Sequence, residues 1–174
     1  MQFKEVLGQE KVKAKLLASR KEGRISHAQL LFGPPGTGVL PIAMAYAQYL
    51  ICQQPTDNDS CGTCPSCQKC NKMVHPDIYF SFPVITLSKQ KIDKPVSNDF
   101  IADFRKLVLE HPYMDYNDWM AEISDTENKQ GRIFAHEGPE IIKRINLKAF
   151  EAPFKIVVMW LPEKMGVELA NTLL

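Results

Sequence analysis

Residues 28–40 read Ala-Gln-Leu-Leu-Phe-Gly-Pro-Pro-Gly-Thr-Gly-Val-Leu. The apolar run Ala28 to Phe32 suits a short buried strand, and the Gly/Pro series that closes it suits a loop. From Pro41 to Cys52 the chain is apolar again and long enough for a buried helix. Pro41 is tolerated because first-turn amides have no intrahelical acceptor. Strand, glycine loop and helix in that order form the arrangement in which backbone N–H groups cradle a phosphate. Against the pattern G-x-x-x-x-G-K-[ST], Gly33 and Gly38 fit, but Val39 stands at the lysine position and Leu40 at the hydroxyl position. The lysine would neutralise the β and γ phosphates and the hydroxyl would hold Mg²⁺; two aliphatic side chains do neither. What remains is a degenerate cradle of Gly33, Gly36, Thr37, Gly38, Val39 and Leu40, for which nucleotide binding is expected to be weak or absent.

Working outward, Gln9 to Glu22 places Val12, Leu16 and Leu17 on one face and ends in Arg20, Lys21 and Gly23, which predicts an opening helix with a basic last turn and a glycine stop. Ile78 to Val84 alternates as a strand does, with Pro83 ending it or placing it at an edge. Ser97 is a candidate cap for a helix whose stripe is Phe100, Ile101, Phe104, Leu107 and Val108 and whose stop is His111-Pro112. Asp115 to Glu127 carries five acids and no base, so Tyr116 and Trp119 make no base-stacking surface there. That stretch reads as a solvated connection with its rings tucked onto the body. Gly138-Pro139 opens another helix, expected to bury Ile141, Ile142 and Ile145, and Lys155 to Trp160 is a fully apolar strand. A last helix starts near Glu163. Helices between buried, non-alternating strands predict an α/β domain with a mainly parallel sheet covered on both faces.

The 174 residues are 45% hydrophobic and 24% charged, one ordinary globular domain that needs no disulfides or oligomerisation for want of size. Lys+Arg 21 against Asp+Glu 20 leaves a net charge of +1, too balanced for a free-standing nucleic-acid binder. The N-terminal residues mix charges among apolar side chains, unlike an export signal, and no segment has the length and purity of a membrane span, so a cytoplasmic location is expected. All five cysteines, Cys52, Cys61, Cys64, Cys67 and Cys70, fall in one window. In a reducing compartment such clustering points to metal. Two sets can be drawn: Cys52, Cys61, Cys64 and Cys67 with spacing C-x8-C-x2-C-x2-C, or Cys61, Cys64, Cys67 and Cys70. Either fills a tetrahedral Zn²⁺ sphere and leaves no open position, so the role would be structural. His27, His75, His111 and His136 show no ligand or triad spacing, and no catalytic residue is identified.

Residues 3–38 (FKEVLGQEKV...GRISHAQLLFGPPGTG) resemble the start of the bacterial DNA polymerase III clamp-loader subunits, an AAA+ family with a P-loop NTPase-like fold, and within it the delta prime type. The cysteine window after the loop helix, the strand led by His75-Pro76-Asp77, and KIVVMWLPEKMGVELANTLL, similar to the family's Walker B strand and helix, continue the resemblance. It favours Cys52 over Cys70 as the fourth zinc ligand and gives His27 and His75 turn-orienting roles. It also places the Walker B acid pair on Trp160-Leu161, where no carboxylate stands; Glu163, three positions past the aspartate site, is a poor substitute.

The resemblance implies an amino-terminal AAA+ domain over residues 1–174, incomplete at its C-terminal end. It contains a zinc module at about 52–70 and a family-atypical insertion at about 85–134. With loop lysine, hydroxyl and both acids missing, it also implies a subunit that does not hydrolyse ATP. Such a subunit would act as a stator beside gamma/tau-like and delta-like partners, reach primer-template DNA and the sliding clamp only through the assembly, and make no membrane contact. The alternative is an active motor ATPase of the same superfamily that uses unorthodox residues, and the absence of lysine at 39 and of acids at 160 and 161 counts against it. A zinc-dependent adaptor of another kind would have no need of residues 3–38. Ending on Asn171 to Leu174, the chain is further expected to lack a central strand and to leave two strand edges unpaired.

Overall fold

The apolar run after the glycine loop is a helix, α2 (Val39–Ile51), and the rest packs around it in a computed structural model that describes residues 1–86, 94–124 and 129–173. A helix apolar on all sides must be buried on all sides. Leu40, Met44 and Ala47 enter one core with Phe80, Phe82, Phe104, Trp119, Val158 and Trp160. Ile42, Ala45, Tyr46 and Tyr49 enter a second with Phe3, Val6, Leu16 and Cys70. The opening helix, α1 (Glu10–Lys21), ends as expected: Gly23 adopts a φ of 66° and its N–H reaches Arg20 O at 3.0 Å.

After a short helix, α3 (Pro65–Asn71), come β1 (Ile78–Ser81) and much later β2 (Ile156–Met159), paired in parallel with Tyr79 opposite Val157 and Phe80 opposite Val158. The alternation of a strand sends these two pairs to opposite faces. Phe80 and Val158 join α2 in the first core. Tyr79 turns to α6 (Glu137–Asn146), where its hydroxyl donates to the buried Glu137 carboxylate at 2.8 Å. Parallel pairing with helices on both faces is therefore present. The sheet is smaller than expected, two strands among the described residues.

The run Ala28 to Phe32 forms no strand. Leu30 is 73% and Phe32 88% exposed, and only Leu31 leans on the second core. The expected burial fails because, among the described residues, no strand lies beside this segment to pair its backbone and cover its side chains. Leu30→Gln with Phe32→Ser should therefore cost less than about 1 kcal/mol of stability and should reduce self-association; light scattering and denaturant melts check both.

Ser97 does not cap a helix through its side chain. Its hydroxyl accepts from Phe82 N–H at 2.9 Å and donates to Phe82 O at 3.1 Å, tying a 3-10 turn (Ser97–Phe100) to the end of β1 before α4 (Ile101–Glu110) begins. Pro83 ends β1 as expected, and Val84 turns to bridge Arg132. The acidic connection is a helix, α5 (Tyr116–Ile123), because Asp115 caps it by accepting from Asn117 and Asp118 N–H groups at 2.7 and 3.0 Å. Its Trp119 is fully buried, edge-on to Phe82 and Phe104, with Nε1 donating to Pro83 O at 2.7 Å. Of the three isoleucines expected inside, only Ile141 is buried. Ile142 and Ile145 stay exposed because α6 leans on the β-strands and on α7 (Val167–Leu173) along one narrow face. The residues of the expected insertion at 87–93 and 125–128 lie outside the described ones.

Candidate metal centre and glycine loop

Cys52 closes α2, Cys61 and Cys64 flank a turn whose Gly62 adopts a φ of 75°, and Cys67 lies in α3, whose first residue, Pro65, follows Cys64 directly. The four sulfurs lie within 4.8 Å of one another, with Cys52 to Cys61 at 3.6 Å and Cys61 to Cys67 at 3.9 Å. A Zn–S distance of about 2.3 Å requires tetrahedral sulfurs about 3.8 Å apart, so the donor set fits a single zinc ion. Backbone N–H groups point at the sulfurs: Cys61 N to Cys52 Sγ at 3.2 Å, Cys64 N to Cys61 Sγ at 3.3 Å and Cys67 N to Cys64 Sγ at 3.5 Å. Those from Cys64 and Thr63 bring the Cys61 thiol down to about 6, whereas burial pushes the Cys52 and Cys67 thiols up. Four thiolates on one divalent cation would share these N–H donors, which offset the negative charge on the sulfurs. Cys70 is not in the cluster. It belongs to the second core, and burial pushes its thiol up to about 12.

Residues outside the cysteine pattern anchor this module. Asp59 accepts from Phe3 N–H at 2.9 Å and from Lys4 N–H at 3.0 Å, and Gln48 donates to Ser60 Oγ at 3.1 Å. On its other side, Lys69 of α3 pairs with Glu151, which also faces the buried His75 ring at 3.1 Å. The Glu151 segment is held from beneath by Asp77, whose carboxylate accepts from Phe150, Glu151 and Ala152 N–H groups at 2.7 to 2.9 Å and from Lys155 at 3.1 Å. Burial alone would raise the Asp77 carboxyl; these four donors outweigh it and hold the group below the usual carboxylate range.

The glycine loop sits between Phe32 and α2 with Gly36 and Gly38 at φ of 75° and 85°, conformations that favour glycine. Thr37 closes it internally, Oγ1 donating to Pro34 O at 2.7 Å, and Gln9 Nε2 donates to Thr37 O at 3.1 Å. Gly33 leaves no room for a side chain, since a Cβ there would meet Thr37 Oγ1 at 2.8 Å. Leu40 is buried, and it shares the first core with Trp160 and the edge of Leu161. Trp160 packs its ring against Phe104 at 5.7 Å between centroids, and Glu163 is exposed in a 3-10 turn (Pro162–Lys164). Leu40, Trp160 and Leu161, which the sequence pattern and the resemblance set at the hydroxyl and acid positions, thus belong to one apolar core.

Residues 8–174 match the family DNA polymerase III, delta subunit. The chain is 36% identical to the DNA polymerase III subunit delta' of Escherichia coli over 97 residues, 56% of this chain and 27% of that protein. It is 35% identical to the subunit delta' of Pseudomonas aeruginosa over 85 residues, 49% and 24%. It is also 45% identical to the subunit gamma/tau of Mycobacterium bovis over 65 residues, 37% and 11%. The matched stretches thus span about a quarter of the delta' relatives' length. With nearly all of its residues inside the family match, the chain belongs to the DNA polymerase III, delta subunit family, as a clamp-loader chain of the delta prime type.

Proposed function

We propose that the chain serves DNA replication as a clamp-loader subunit that binds its neighbours and does not itself turn over ATP. The observation that carries this reading is the shared core of Leu40 and Trp160, joined at its edge by Leu161. Phosphoryl transfer needs a metal held between loop and strand, an ammonium on the phosphates and a polarised water. Val39 supplies no ammonium, and Leu40, Trp160 and Leu161 supply no side-chain oxygen to ligate a metal. The domain is read as an AAA+ body with a zinc module at about 52–70 and an insertion at about 85–134. Zn²⁺ is its structural cofactor, held by Cys52, Cys61, Cys64 and Cys67, and nucleotide is bound weakly or not at all. No helix among the described residues is long and apolar enough to cross a membrane, and a cytoplasmic site of action accords with the replication relatives.

The partners proposed are gamma/tau-like and delta-like subunits, with primer-template DNA and the sliding clamp engaged through the assembly. Mixed with the gamma/tau-like and delta-like chains of the same cell, this chain should co-elute with them in size-exclusion chromatography. Clamp loading by the mixture should fall to background when the chain is left out. Loading at an unchanged rate without it would overturn the proposal.

A further inference from the structure

Tyr113 stands in the turn between α4 and α5, 75 residues along the chain from Gly38, yet its ring lies on the glycine loop. A Cβ added at Gly38 would sit 2.9 Å from the ring's Cε1 and 3.6 Å from Cδ1. Nothing larger than hydrogen fits between backbone and ring. The Tyr113 hydroxyl accepts from Leu7 N–H at 2.6 Å. Its neighbour Met114 is buried in the first core with Leu40, which fixes the turn from behind. One ring therefore joins the segment before α1, the glycine at the start of α2, and the α4 and α5 pair.

A loop exposed from Gly33 to Gly36, with Gly36 and Gly38 in left-handed conformations, has many alternatives and is costly to order. In a phosphate-binding loop, the ligand supplies the contacts that offset this cost. We propose that Tyr113 is an internal brace that takes over this ordering role, so that α4 and α5 keep the glycine loop closed with no nucleotide present. The proposal rests on the non-hydrolysing reading only in expecting no ligand to compete with the ring. The two fail separately, because phosphate release tests that reading and amide exchange tests this one.

Hydrogen exchange by NMR on the whole chain decides it at three amides: Leu7, bonded to Tyr113; Thr37, bonded to Pro34 O; and Ile42, bonded to Gly38 O. Tyr113→Phe removes the hydroxyl and keeps the ring, so Leu7 should exchange about tenfold faster or more while Thr37 and Ile42 stay near wild type. Tyr113→Ala should speed all three by about tenfold or more while the β1 amides keep their protection, which excludes general unfolding. Thr37 and Ile42 remaining within about twofold of wild type in Tyr113→Ala would overturn the brace. So would slowing of these amides when ADP is added to the wild-type chain, since the loop would then be open to a ligand.

Discussion

Cys64→Ser should strip the chain of its metal and lower its melting temperature by about 10 °C or more, the first of two large effects that follow from the structure. Three sulfurs held within 4.8 Å of one another would remain, but a tetrahedral thiolate site that loses one ligand loses most of its affinity, and for structural zinc that binding energy is folding energy, about 10–16 kcal/mol in small zinc domains. The apolar cluster at the site is the cysteines themselves; Cys70 reaches the second core, and polar contacts of Asp59, Gln48 and Lys69 join the module to the body. Metal analysis of the reduced wild-type protein should give one zinc per chain. Cys70→Ser should keep that zinc, because Cys70 lies in the second core. Full metal content and an unchanged melt in Cys64→Ser would show that the four sulfurs converge for another reason.

Asp77→Asn should cost about 3–5 kcal/mol at neutral pH, because an amide replaces a carboxylate that accepts from three N–H groups and the Lys155 ammonium, and Lys155, itself largely buried, is left without its counter-ion. The effect has a pH signature. Folding holds the Asp77 carboxyl below its ordinary value of 3.8. Its stabilisation is therefore fully present above that value and is lost as pH falls through the lowered folded value. Denaturant midpoints of wild type and Asp77→Asn should differ widely at pH 7 and converge in strong acid. Parallel curves at every pH would assign the loss to packing rather than to charge.

The helices were legible where one local pattern decides them. Gly23 after Arg20 and Lys21 marks the end of α1, and the stripe of Phe104, Leu107 and Val108 marks the buried side of α4. The cysteine cluster was legible because cysteine spacing is itself a statement of geometry; spacing alone left Cys52 and Cys70 open, the resemblance favoured Cys52, and the fold gathers Cys52 with the other three sulfurs while Cys70 joins the second core. The run Ala28 to Phe32 misleads because an apolar run shows that a strand wants burial and not what covers it; Leu30 and Phe32 find no cover among the described residues. The acidic stretch misleads in the other direction. Its charge reads as a solvated connection, yet Asp115 caps a helix; the ring of Trp119 is tucked onto the body as read, fully buried in the core. Asp77 and Tyr113 act across 73 and 75 or more residues of chain respectively, and no local pattern announces a pairing of that kind.

Steady-state phosphate release by the purified chain, with ATP and Mg²⁺ and with primed DNA present or absent, bears most directly on the central claim. The packing of Leu40, Trp160 and Leu161 in one apolar core predicts release equal to a buffer control in every condition, and equal again after Gly38→Val in the loop. Turnover above the control that Gly38→Val abolishes would contradict the account and make the chain a working motor.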